Sequence, residues 1–238
     1  MAMRSRLLVS GAILLGLIAA AGPAQAAVQI DMTGSFDADV IVNSKTPPAV
    51  DNSQSAIDNV SYSMATQKAL DSSCSFAGKG LPNNGFFPAT AQHPAVQLAY
   101  RNSDDGNNVH RADAVDVFTV LIPHAKYKKV HVFLTSGDGP SDVKVTFFYA
   151  DGTSRAWALT VNDWFDSPAT GAYSLIGGMD RMDPSGSQCD ESANGVSAHV
   201  FGYPLAANSR KTLTKMKIEK VDTGYTVLST FGAIGIKA

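Results

Sequence analysis

From residue 95 onward the chain alternates apolar and polar positions in short runs, separated by Gly, Pro, Asn or Asp. That period of two predicts strands at 95–100, 114–122, 129–135, 143–150, 154–161, 197–205, 213–219 and 226–236. Within 129–135 it places Val130, Val132 and Leu134 on one face, with His131 and Phe133 on the other. Upstream, 28–32 and 39–42 read as strands around Gly34-Ser35. Residues 43–59 are polar and contain Pro47-Pro48, the composition of an exposed loop. A weak helical pattern covers 61–70, and Gly78, Gly80, Pro82, Asn83, Asn84 and Gly85 make the next stretch irregular.

The segment "VTFFYADGTSRAWALTVNDWF" (145–165) holds two such runs joined at Asp151-Gly152. A two-residue type I′ turn is the expectation there, because Asp-Gly supplies the positive φ values that turn requires. In that register Val143, Val145, Phe147 and Tyr149 share a face with Ser154, Ala156, Ala158 and Thr160. Thr146 and Phe148 then go with Arg155, Trp157, Leu159 and Val161. Many short strands, frequent turns and little helix predict an all-β fold, an antiparallel two-sheet β-sandwich spanning residues 27–238 as one domain.

The first residues read as an address. Arg4 and Arg6 precede an apolar run from Leu7 to Ala21, and Ala24-Gln25-Ala26 supplies a small-x-small cleavage pattern. The expectation is a signal peptide over 1–26, removed to leave a secreted, periplasmic or extracellular chain. No later run reaches the roughly 20 apolar residues of a membrane-spanning helix. The formal net charge of −2 becomes more negative once Arg4 and Arg6 leave, so charge gives no reason to bind nucleic acid. Cys74 and Cys189 are the only cysteines. In an exported chain an isolated pair is most simply one disulfide. Two buried thiols, or half of a metal site, are the alternatives; no histidine stands at zinc-ligand spacing from either.

Several stretches together resemble a known group. These are "FTVLIP…KYKKVHVFLTSGDGPSDVKVTFFYADGTSRAWALTVNDW", the Gly- and Pro-rich "FAGKGLPNNGFF" (76–87), "DGNNVHRA" (105–112) and "HVFGYPLAANSRKTLTKMKIE" (199–219). In this order they resemble the accessory modules attached to secreted bacterial and fungal glycoside hydrolases, β-sandwiches of the galactose-binding-like, jelly-roll type. The family's hairpin and "S/N-D-W" cluster are matched by Tyr149–Thr153 and Asn162–Trp164. The resemblance covers roughly 28–238, and residues 166–196, with Cys189, depart from it. It implies a non-catalytic carbohydrate-binding protein whose partner is a carbohydrate or cell-surface glycan.

The residues agree with a non-enzyme. No Gly-x-Ser-x-Gly or His-Glu-x-x-His occurs. Asp151, Asp163 and Asp166 could be arranged as a glycosidase carboxylate pair, but Asp151 reads better as a turn residue and Asp163 as a loop or cap residue. His93, His110, His124, His131 and His199 are scattered without metal-pair spacing. "RNSDDGNN" (101–108) offers oxygen ligands but not EF-hand spacing. A structural calcium, frequent in similar jelly rolls, has Asp104 and Asp105 as candidate ligands, with a plain polar turn as the alternative; no other cofactor is expected. Sugar recognition needs an aromatic face and hydroxyl-binding groups. Trp157, Trp164, Tyr100 and Tyr173 supply aromatics, though packing suits the two tryptophans better. Binding residues concentrate in loops, which selects Tyr100, Arg101, Asn107, Asn108 and His110 over Arg181. The alternative function is a structural or adhesive surface protein acting through protein–protein contacts. Oligomeric state has no signature in the sequence.

Overall fold

The computed structural model describes residues 27–43, 56–60, 62–74, 78–100, 106–182, 189–190 and 197–238. Strands β1 (Ala27–Ile30) and β2 (Ile41–Val42) come first. β3 (Ser63–Ala65) leads into the helix α1 (Gln67–Ser73), so the pattern over 61–70 divides between a strand and a helix. Thr66 caps the helix, its side chain accepting from the Ala69 N–H at 3.4 Å. Short strands β4 (Phe86–Phe87), β5 (Val96–Gln97) and β6 (His110–Ala112) follow. The long strands are β7 (Asp116–Gly137), β8 (Ser141–Tyr149) and β9 (Ser154–Val161). After β10 (Tyr173–Met179), β11 (Arg181–Met182) and β12 (Cys189–Asp190) come β13 (Ala198–Ala206), β14 (Thr212–Lys220) and β15 (Val227–Lys237).

The strands expected at 114–122 and 129–135 are one strand of 22 residues. Pro123 and the lysines after it read as a break, because proline gives no N–H to a ladder. The strand instead changes partners there. Its first half pairs with β14, whose register shifts between Leu213 and Lys215 opposite this stretch. Its second half lies between β15 and β13. Such a crossing strand joins the two layers of an antiparallel, sandwich-like β fold. One layer runs β7-β14-β8-β9; the other holds β1, β15, β7, β13 and β10, with β6 on the outer edge of β15.

The alternation in β7 explains the packing. Val130, Val132 and Leu134 join Val120, Ile122, Val145, Phe147, Met216 and Ile218 in the core between the layers. Phe133 faces the other way, into a second core with Phe231, Val200, Leu98, Tyr100, Met64 and Trp164. The central layer is therefore covered on both faces, and every residue from Val130 to Gly137 is buried. Its outer cover is built from the four-stranded β12-β11-β3-β2 sheet and the β4-β5 pair. Cys74 and Cys189 form a disulfide that links the end of α1 to β12, across a sequence separation of 115 residues. Around it pack Val42, Ala65, Ala69, Leu70 and Met182.

The Asp151-Gly152 hairpin differs from its expected register. Phe148 stands opposite Ser154 and Val145 opposite Trp157, leaving Ala150, Asp151 and Gly152 as the loop. The Gly152 N–H donates to the Tyr149 carbonyl at 3.0 Å, and the Tyr149 N–H to the Thr153 carbonyl at 2.9 Å. Gly152 is left-handed at φ +82°, which makes a type I turn closed by a bulge, whereas type I′ needs two such residues. Asp151 uses its carboxylate instead, accepting from the Thr153 N–H and hydroxyl at 3.0 and 2.6 Å. A one-residue slip exchanges the faces of the whole strand. Trp157 and Leu159 thus pack against the core with Val143 and Val145, while Ala156 and Ala158 are exposed.

The segment 166–196, which departs from the resembled pattern, contributes β10, antiparallel to β13. Its register shifts between Ser174 and Ile176 and again before Met179, so no clean alternation marks it in the sequence.

Candidate functional site

The loop expected to bind ligand is largely committed to structure. Tyr100 is buried in the second core, its hydroxyl donating to the Pro82 carbonyl at 2.8 Å. Asn108 is buried as a strut: its carbonyl accepts from the Val40 N–H at 2.9 Å, and its amide donates to Asp39 and the Ile41 carbonyl. Asn107 is exposed and donates to the Phe36 carbonyl at 3.2 Å. His110 sits between Asp37 and Asp116, at 3.1 and 2.5 Å. Burial works against its charge, but the two carboxylates and the Ser35 carbonyl together raise its pKa to about 9. Arg101, Asp104 and Asp105, and with them the calcium expectation, lie outside the described residues.

The remaining candidates are also occupied. Asp151 pairs with Lys211 at 2.8 Å, and that bond with those from Thr153 holds its pKa down to about 2. Asp163 accepts from the N–H groups of Gly139 and Phe165 at 2.7 and 3.0 Å. Trp164 is buried against Phe165, and the Arg181 guanidinium lies 3.4 Å over the Tyr62 ring. Among the described residues no group of three or more His, Cys, Asp or Glu side chains is arranged to hold a metal ion, and no helix is long and apolar enough to cross a membrane.

A different constellation forms where the outer cover ends. Lys129, His131 and Phe133 occupy alternate positions on the face of β7 that looks toward the second core. Phe133 is inside that core, His131 stands at its margin, and exposed Lys129 lies beyond. His131, Lys129, His93, Gln92 and Thr90 line a cleft of about 590 Å³ whose apolar wall comes from Ala89, Ala91, Pro94, Ala95, Ala27 and Ile236. The size and mixture match small-molecule sites, which span about 300–1,000 Å³. Thr90 shapes the rim: its hydroxyl accepts from the N–H groups of Gln92 and His93 at 3.1 and 3.3 Å.

Tyr173 organises the two imidazoles. Its ring stacks on His93 with centroids 5.3 Å apart, and its hydroxyl lies 2.7 Å from Nδ1 of His131. His93 donates from Nδ1 to the Pro94 carbonyl at 2.7 Å. Burial, then Lys129 and His93 nearby, pushes the His131 pKa down to about 4, so this ring is neutral near pH 7. Burial also raises the Tyr173 pKa, keeping the phenol protonated. Hydrogen-bond counting then assigns the tautomer. If Tyr173 donates to Nδ1, its hydroxyl proton has an acceptor and only the His131 Nε2–H is left over. The opposite arrangement leaves two groups unused. Nε2 is buried with no partner among the described residues, a condition that costs about 1–3 kcal/mol for a polar group.

Sequence reasoning missed Lys129, His131 and His93 as a group. Lys129 and His131 stand two apart on the face opposite Val130, Val132 and Leu134, but the alternation did not mark that face as buried. His93 carried no signal; the fold alone brings it in. No family model matches the chain, and no curated protein matches it.

Proposed function

We propose that this chain is an exported, non-catalytic carbohydrate-binding protein, allied to the galactose-binding-like jelly-roll modules its motifs resemble. The observation that carries this reading is the cleft at His131. It combines an apolar wall with convergent hydroxyl, amide, imidazole and ammonium groups, the mixture a sugar needs for its C–H face and its hydroxyls. If cleavage follows Ala26, as the leader suggests, the new α-ammonium of Ala27 joins the rim of the same cleft. Glycan arrays and pull-downs on insoluble polysaccharides test the reading. Retention on at least one glycan, lost in His131→Asn with the fold intact, is expected; retention on none removes it.

A second reading has its own observation. Val115, Val117 and Leu121 point outward at 59, 55 and 77 % exposure, an apolar row on the layer that carries no outer cover among the described residues. Such a row suits a protein partner. Cross-linking on intact cells separates the two readings, since free sugar competes with capture only under the first.

A further inference from the structure

We propose that the cleft receives the carboxylate of an acidic sugar, a uronic acid unit, between the Nε2–H of His131 and the ammonium of Lys129. This inference rests on the carbohydrate-binding reading and adds the charge class of the ligand. It follows first from the leftover donor: His131 is 1 % exposed, its Nδ1 is taken by Tyr173, and its Nε2 has no partner among the described residues. Among the described residues nothing accepts from it, and His131 lines the cleft, so an acceptor brought by a ligand would satisfy it. Second, no acidic side chain lines the cleft among the described residues, whereas Lys129 stands at its mouth. Lys129 makes no ion pair among the described residues. A cation beside a neutral N–H donor, with no competing carboxylate, selects an anion with two acceptor oxygens. Third, Ala89, Ala91, Pro94 and Ile236 supply a wall without hydrogen-bonding side chains, against which the C–H face of a pyranose can lie while its carboxylate is held.

The arrangement links binding to protons. Lys129 on the same strand, His93 from the covering loop, Tyr173 from β10 and, after leader cleavage, the α-amino group of Ala27 at the cleft rim are the titratable groups around His131. The residues opposite His131, Ile234 on β15 and Pro204 on β13, and those opposite Lys129, Ile236 and Ala206, do not titrate. A bound carboxylate opposes the effects that hold His131 neutral, so the complex takes up protons more readily than the empty protein. Affinity for an acidic sugar therefore rises as pH falls from 7.5 to 5.5.

Calorimetric titration of the folded chain with a galacturonate trisaccharide and with neutral galactotriose, at both pH values, tests this. The acidic trisaccharide is expected to bind about tenfold tighter, with the gap widening at pH 5.5. Lys129→Gln, which removes the charge and keeps a hydrogen-bonding amide, is expected to remove most of that gap by weakening the acidic trisaccharide far more than galactotriose. Equal affinities for the two sugars, or indifference to Lys129→Gln, would overturn the acidic-sugar inference and leave the carbohydrate reading standing. Binding of neither sugar, with the array also blank, would overturn both. Acetate binding as tightly as the galacturonate trisaccharide would also overturn the inference, by showing a bare anion site with no contribution from the ring.

Discussion

Gly202 makes the space in which Tyr173 lies: a Cβ at position 202 would fall 2.2 Å from the ring's Cζ and 2.5 Å from its hydroxyl oxygen. The two residues are direct cross-strand partners. With no side chain at 202, the tyrosine ring crosses β13 and reaches His131 on the next strand. Gly202→Ala is expected to displace the ring and cost about 1–3 kcal/mol, the range for forced overpacking. Gly34→Ala, where nothing lies within 4 Å, is expected to stay within about 0.5 kcal/mol of the parent. Urea unfolding of both variants decides this, and imidazole NMR should show the His131 environment changing only in Gly202→Ala. Equal stability of the two variants would show that Tyr173 does not depend on the gap.

Alternation along β8 makes neighbouring phenylalanines unequal. Phe147 is fully buried between the layers, while Phe148 is partly exposed on the outer face under the Lys215 ammonium. Phe147→Ala is expected to cost about 3–5 kcal/mol, and Phe148→Ala about 1 kcal/mol or less. Chemical denaturation midpoints check both. Similar losses at the two positions would contradict the observed faces.

What the sequence revealed, and what it concealed, follows from the range of the forces involved. Alternation in residues 130–134 is a local property of the pleat, so the division of Val130, Val132 and Leu134 from His131 and Phe133 was readable. The hairpin was readable as a turn but not in register, because Asp151 chose between two turn types by bonding Thr153 rather than by adopting a positive φ. β10 was hidden by its own bulges. Tyr100 and Asn108 looked like loop ligands because composition cannot say that their partners are Pro82, Val40 and Ile41. The cleft was least legible of all. His93 and His131 are brought together by Tyr173, a residue from a third segment, and only the folded chain holds that relation.

The disulfide ties the outer cover together at one margin, away from both large cores. Its loop of 115 residues gives, in the chain-entropy account, about 4–5 kcal/mol of stabilisation. Reduction, or Cys74→Ala with Cys189→Ala, is expected to lower the thermal midpoint and leave the β signature in far-UV circular dichroism. Non-reducing peptide mapping of the parent should recover one cross-linked peptide joining the two cysteines. A melting curve unchanged by reduction would show that neighbouring packing alone holds the α1–β12 margin.

Two histidines set opposite limbs of a stability–pH curve. His110, held by Asp37, Asp116 and the Ser35 carbonyl, has a folded pKa of about 9 against 6.5 for the free side chain. The folded state keeps a proton that the unfolded state releases, so this stability is fully present below pH 6.5 and is lost as pH rises through 9. At about 1.4 kcal/mol per unit the ceiling is about 3 kcal/mol, and the part-exposed carboxylates reduce it through solvent screening. His131 has the reverse sign. Its folded pKa of about 4 means that the unfolded state binds the proton first, so stability present above pH 6.5 falls as pH drops toward 4. Urea unfolding across pH 4–9 is therefore expected to give a dome with its top near pH 6.5. His110→Gln should flatten the limb between pH 6.5 and 9 and leave the acid limb in place. NMR titration of the His110 ring in the parent should give a midpoint near 9. Parallel alkaline limbs in parent and variant would show that the Asp37–His110–Asp116 cluster does not hold its proton through folding.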